Sequence, residues 1–194
     1  VPLPPTLEEQ ERIADLLGEV DAARLLYDQL QKEIGRFASA LFVEMFGDPE
    51  TNPKGWDIVP LSMFVHQPES GWSPQCLDRP ATNQEFGVIK LSAVTSGFFQ
   101  PKENKALPPM LAPRLKLGLR KGDLLFSRAN TRNLIGATVL IEEDHPHLLI
   151  ADKTWRLHPK PGTNTSFLKA WLSTPFARRQ ISELASGTSS AMLN

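Results

Sequence analysis

Between Leu119 and Ala137 the chain reads LRKGDLLFSRANTRNLIGA, and the middle of that run carries side-chain types whose chemistry would suit contact with a duplex. Lys121-Gly122-Asp123 reads as a turn, Leu124-Leu125-Phe126 as a buried strand, and Ser127 to Asn133 as a polar loop held between two apolar strands. Arg128 and Arg132 have the chemistry to pair bidentately with guanine, Asn130 with adenine, and Ser127 or Thr131 with a base or a phosphate. The same residues would also suit an ordinary solvated hairpin loop, so both readings stay open at this point.

Other polar groups offer less. Lys90 and Ser92 follow a buried strand, where they either meet a nucleic-acid backbone or simply end the strand. Lys153 and Arg156 share the ADKTWRL strand with Asp152, which is expected to pair with one of them as a structural ion pair. Gly187-Thr188-Ser189-Ser190 offers amides and hydroxyls to a phosphate, or else serves as a hinge. Trp72, in Gly71-Trp72-Ser73, is either an aromatic beside a groove or a core residue. Asp144-His145-Pro146-His147 has the residue types of a metal site, but two histidines about a proline in a turn, with no cysteine pair, read as solvated. No metal or other cofactor is expected. Nothing in the sequence identifies a base to activate Cys76. A Gly-rich strand–turn–helix segment, an Asn/Asp-Pro-Pro-aromatic run and a P-loop are all missing, as is a carboxylate cluster at catalytic spacing. A protein without a catalytic step is therefore expected.

These groups need elements to hold them. Ile13, Leu16, Val20, Ala23, Tyr27, Leu30, Ile34, Phe37 and Leu41 follow a strict three-four spacing, the a and d positions of four heptads. The expected helix runs from about Leu7 to Phe46, with Thr6 and Glu9 as a capping box and Gly47 and Pro49 as its stop. Such a helix is about 60 Å long, and its narrow apolar stripe calls for a partner helix. Gly18 and Gly35 are either tolerated defects or points where a partner backbone packs. Residues 48–56 form a linker, so the expected domains are 1–50 and 51–194. Beyond the linker, Phe86 to Val94 and Asp123 to Ser127 are short apolar segments. Ile135 to Glu142 and Leu148 to Leu157 look like two strands joined by a turn at Glu143 to His147. Two helical stretches follow, Ser166 to Ser173 and Pro175 to Ala185. The fold class is α+β: a long coiled-coil-forming helix, then a mixed α/β domain.

Composition is that of a globular chain, 41% hydrophobic and 22% charged. No apolar run approaches the roughly 18–20 residues that span a bilayer, and no secretory signal is seen. The single cysteine fits a reducing, cytoplasmic setting. Residues 1–50 hold four Lys and Arg against eleven Asp and Glu, a net −7, while the rest hold 17 against 11, a net +6. An acidic helix joined to a basic globule points to two different partners, with nucleic acid a candidate for the second.

The run KGDLLFSRANTRNLIGA resembles a motif of the target-recognition domains of Type I restriction–modification specificity subunits. The resemblance extends to VPLPPTLEEQERIADLL and LFVEMFGDP at the two ends of the long helix, and to GVIKLSAVTSG, ADKTWRL and LASGTSSAMLN, all in the family's order. It implies a non-catalytic subunit in which Ser127, Arg128, Asn130, Thr131 and Arg132 read one half of a bipartite DNA site. Lys90, Lys121, Lys153 and the loop at Gly187, Thr188 and Ser189 would then support the DNA backbone. The seam residues Ile13, Leu16, Val20, Tyr27, Leu30, Ile34, Phe37 and Leu41 would pair antiparallel with a second long helix. Methyltransferase subunits and, through them, restriction subunits are the implied protein partners. A full subunit carries two recognition domains and two long helices, so one of each is expected to be half of a subunit. The alternative is a coiled-coil interaction scaffold without DNA readout.

Overall fold

The computed structural model describes residues 6–187 and 191–193. The chain divides after Asp48 into two compact units.

The first unit is one helix, α1 (Leu7–Phe46). Thr6 takes the extended N-cap conformation, and its hydroxyl accepts from the Glu9 amide at 3.2 Å. Only that half of the expected capping box forms. The Glu9 carboxylate turns instead to Arg12, 2.9 Å away one turn on. Gly47 stops the helix at φ 85°, with its amide on the Val43 carbonyl at 2.8 Å. Its ψ of 165° differs from the αL geometry expected of a C-capping glycine. The heptad seam lies bare: exposure runs from 38% at Ile13 to 71% at Phe37. A Cβ added at Gly18 or Gly35 would meet no atom within 4 Å.

The second unit is built on two four-stranded sheets. Their strands, in chain order, are β1 (Glu69–Ser70), β2 (Gly87–Ile89), β3 (Asn104–Ala106), β4 (Gly118–Leu119), β5 (Leu124–Ser127), β6 (Ala129–Asn130), β7 (Thr138–Leu140), β8 (His145–Leu149), β9 (Thr154–Leu157) and β10 (Ala191–Met192). One sheet has the order β1-β9-β5-β7 and is antiparallel throughout. The other has the order β3-β2-β8-β4, with β2 and β8 parallel. Strands β6 and β10 form a separate antiparallel pair. The helices are α2 (Ser92–Thr95), α3 (Thr165–Leu172) and α4 (Pro175–Leu184). Asn164 caps α3 and Thr174 caps α4, each accepting from the amide three residues on, and Pro175 fills the first turn.

Strand β5 is buried at all four residues, and its alternation explains the layering. Leu125 joins a core with Val88, Ile89, Val139 and Leu149. Leu124 and Phe126 join another with Leu157, Leu168 and Leu172. The β5 sheet therefore has a core on each face. A third, smaller cluster of Ile135, Ala185 and Ala191 lies beside the β6–β10 pair.

The expected hairpin of Ile135–Glu142 with Leu148–Leu157 does not form. β7 pairs with β5, while β8 begins inside the expected turn and pairs with β2 and β4. The chain then crosses back to place β9 beside β5. Both stretches are apolar enough to be covered on two faces, so their partners come from elsewhere in the chain. The return crossing passes close over Gly71, where a Cβ would collide with the carbonyl oxygens of Ile150 and Ala151.

Arg156, on β9, links the two sheets from within. Its side chain is 8% exposed, and one amino group sits 3.1 Å from Glu69 of β1. The other donates to the Gly118 carbonyl of β4 at 2.8 Å. Its Nε is 3.1 Å from Asp123 but makes no hydrogen bond, so that contact is Coulombic. Burial pushes the Asp123 carboxyl up, against the Arg120 amide and Arg156, which pull it down. The expected pairing of Asp152 with Lys153 or Arg156 is absent, and Asp152 accepts from the Ser73 hydroxyl instead.

Two outcomes follow from this packing. Arg156→Ala leaves two partly buried carboxylates without their cation and should cost about 3–5 kcal/mol in urea unfolding. Gly18→Ala and Gly35→Ala should each add about 1 kcal/mol to helix stability followed by circular dichroism, whereas a loss would mean that a partner backbone packs there.

Candidate nucleic-acid interface

β5 delivers the chain to one end of its sheet, and the backbone there is closed into a fixed loop. The Ser127 amide donates to the Ala137 carbonyl at 2.9 Å, and the Gly136 amide to the Ser127 carbonyl at 2.7 Å. Gly136 has φ 75°, and a Cβ there would press on Ile181 and Arg178 of α4. The amides of Leu134 and Ile135 both donate to the Thr131 carbonyl, and Ile135 is fully buried. What remains in solvent is Thr131, Arg132, Asn133 and Leu134.

Ser127 is fully buried; its hydroxyl accepts from the Asn130 amide group at 3.4 Å. The Asn130 side-chain oxygen in turn accepts from the Thr131 amide at 2.8 Å. Ser127 is thus placed to shape the loop from beneath, out of reach of a base. Asn130 is half-buried in the β6–β10 pair. Arg128 lies over the Trp155 ring at 5.3 Å, and Trp155 stacks on Phe126 with centroids 6.0 Å apart. The indole N–H donates to the Ser70 hydroxyl at 3.0 Å, so the platform under Arg128 is held on two sides. The Arg128 Nε is buried and unpartnered.

Arg132 donates 3.0 Å hydrogen bonds to the carbonyls of Ser182 and Gly187. Arg178 of α4 donates to the Asn133 carbonyl at 2.9 Å, and desolvation lowers its pKa from the ordinary arginine value. Lys153 is exposed close by, since its carbonyl accepts from the Arg128 amide at 3.1 Å. Arg128, Asn130, Thr131, Arg132, Lys153 and Gly187 therefore meet at one tip. Thr188 and Ser189 lie outside the described residues.

Two expected contacts lie apart from that tip. Lys121 lies in the turn before β5 whereas Arg128 follows it, at the other end of a strand about 13 Å long. Its amide donates to Asp144. Lys90, at the end of β2 in the other sheet, is 3.0 Å from Glu103. The Ser92 hydroxyl also donates to Glu103, and these two bonds hold that carboxyl below its usual range.

The remaining candidates have local partners. Trp72 packs on the larger core beneath the Arg114 guanidinium, 4.5 Å from its ring. His145 is 3.5 Å from Glu143 and packs on Phe99, and His147 packs edge-on to Phe86. Cys76 is partly buried, which raises its thiol pKa. Among the described residues no group of three His, Cys, Asp or Glu is placed to hold a metal.

Sequence reasoning missed Trp155 and Arg178. Trp155 was legible as the neighbour of Arg156 in an alternating strand, but its cross-strand place beside Phe126 was not. Arg178 gave no signal on an amphipathic helix rich in charge.

No family model matches the chain. It is 36% identical over 107 residues to the specificity subunit of the type I restriction enzyme EcoEI of Escherichia coli, covering 55% of this chain and 18% of that one. It is 21% identical over 202 residues to the EcoKI specificity subunit of Escherichia coli strain K12, covering 97% of this chain and 43% of that one. The chain thus spans less than half the length of either relative. Among solved structures it matches the HsdS subunit of Thermoanaerobacter tengcongensis at 22% identity and a TM-score of 0.47, over 97% of this chain and 45% of that one.

Proposed function

We propose that this chain, a homologue of type I restriction enzyme specificity subunits over part of their length, is a non-catalytic DNA-reading module of such a system. The observation that carries the reading is the tip at the end of β5. There Arg128, laid on Trp155, stands with Thr131, Asn133 and Lys153 around a loop that the backbone has already fixed. A rigid loop with polar groups in solvent suits base-edge contact, because little ordering cost remains at binding. The roles follow from access. Arg128 and Thr131 face bases, Asn130 sets the loop, and Lys153 meets a phosphate. The module reads half of a bipartite site and works in the cytoplasm.

The bare seam of α1 is the second contact surface. Its occupant is a second long helix, from another copy or another half of the subunit, running antiparallel. Methyltransferase subunits and then restriction subunits join that assembly. Leu16→Glu with Leu30→Glu should convert the assembled species to monomer in sedimentation; an unchanged mass would remove the seam from the account.

DNA binding is tested with random duplexes across a salt series. Affinity should fall steeply with salt. Arg128→Ala should cost about 1–3 kcal/mol on a selected site and relax one base position. Lys153→Ala should weaken all sequences alike and lower the salt slope by about one, while Lys121→Ala, at the far end of the strand, leaves it. No binding at low salt, even in the assembled state, would favour the scaffold reading, which the acidic helix and its bare seam also fit.

A further inference from the structure

We propose that α4 is part of the reading head, and that Arg178 is a positioning residue setting the conformation in which loop 131–134 meets bases. The inference rests on the DNA-reading function proposed above.

Two arginines cross between the loop and the helix in opposite directions. Arg132, in the loop, donates to the carbonyl of Ser182 in the last turn of α4 and to that of Gly187 just beyond it. Arg178, in α4, donates back to the carbonyl of Asn133, in the exposed segment. Each bond closes on backbone, so together they fix the path of the loop while leaving the side chains of Thr131 and Asn133 in solvent. Carbonyls near a helix C-terminus are unsatisfied and carry partial negative charge, which favours the Arg132 end of the clasp.

The Arg178 end is the unusual one. Its guanidinium is largely desolvated, yet among the described residues it forms no ion pair, and its Nη1 is buried without a partner. A buried cation is costly, and an apolar side chain would fill the same place at lower cost. The space is also tight: a Cβ at Gly136 would stand 2.8 Å from Nη1 and 2.7 Å from Ile181. A costly, close-fitting donor aimed at the backbone of the exposed segment 131–134 is a device for holding that segment. It adds little as a stabiliser of the core.

The experiment compares the full chain with Arg178→Ala, Arg178→Lys and Arg179→Ala. Arg179, next in α4, is exposed and pairs with Glu50, so it controls for charge. The readouts are amide exchange, the urea midpoint, base preference selected from random duplexes, and the salt slope. In Arg178→Ala, exchange should quicken at Leu134 and Ile135 while β2 and β3 stay unchanged. Preference at neighbouring base positions should fall about tenfold, near the lower end of one good base contact. Affinity for random duplex and the salt slope should hold, Arg178→Lys should recover part of the preference, and Arg179→Ala should match the wild type. Unaltered preference in a folded Arg178→Ala would overturn the proposal. So would a salt slope lowered by about one, which marks a direct phosphate contact. If wild type binds no duplex at all, the DNA reading fails and the role of Arg178 with it. Unchanged loop exchange with binding intact would remove the clasp alone.

Discussion

Burial of β5 on both faces is the constraint from which the second unit takes its form. Four consecutive residues, Leu124 to Ser127, lie inside, with two leucines and a phenylalanine divided between two cores. At about 1.5–3 kcal/mol gross for each large apolar side chain, no register shift of this strand is tolerable. Its end is therefore a fixed point. Most polar groups that emerge there are satisfied at once, Ser127 by Asn130, Asn130 by the Thr131 amide, and the loop by its own carbonyls, while the buried Arg128 Nε is left without a partner. Arg156 holds the neighbouring strand β9 to both sheets, so the platform residue Trp155 is fixed along with it. Precision at the tip is thus inherited from the core.

How much was legible follows from how local each cause is. Helix α1 could be read to its ends because Thr6 and Gly47 act within a turn of themselves. Helices α3 and α4 were legible to within a residue at each end, though their caps Asn164 and Thr174 were not read. The hairpin expectation failed because strands covered on two faces carry no periodic mark of which sheet they join. Asp152 was expected to pair with Lys153 or Arg156, yet the partners of Arg156, Glu69 and Asp123, stand 87 and 33 positions off. Arg132 looked like a free base reader, but two of its donors are occupied by backbone from α4 and beyond. The candidate site was legible where it is contiguous, from Ser127 to Arg132. It was illegible where Trp155 and Arg178 enter from other elements.

The two units divide the work by chemistry. The helix exposes an apolar seam on an acidic rod, and covering its eight large side chains is worth on the order of 10 kcal/mol gross before association entropy is set against it. In the proposed assembly that energy would carry no information about bases. In the second unit, the groups at the tip are held in place by hydrogen bonds to backbone. In the function proposed above, assembly would change through α1 and readout through the tip, since the chain divides after Asp48 into two compact units.

The central claim is that the tip of the β5 sheet is what covers bases. Hydroxyl-radical footprinting of the full chain, with and without a duplex selected from a random pool, tests it most directly. Leu134, 39% exposed, and the partly exposed Trp155 report on the tip. Met63, 62% exposed, reports on the far end of the unit, where Lys160 beyond β9 bonds the Ser62 carbonyl. Bound duplex should protect Leu134 and Trp155 and leave Met63 as reactive as before. Protection of Met63 with Leu134 and Trp155 still open would contradict the account.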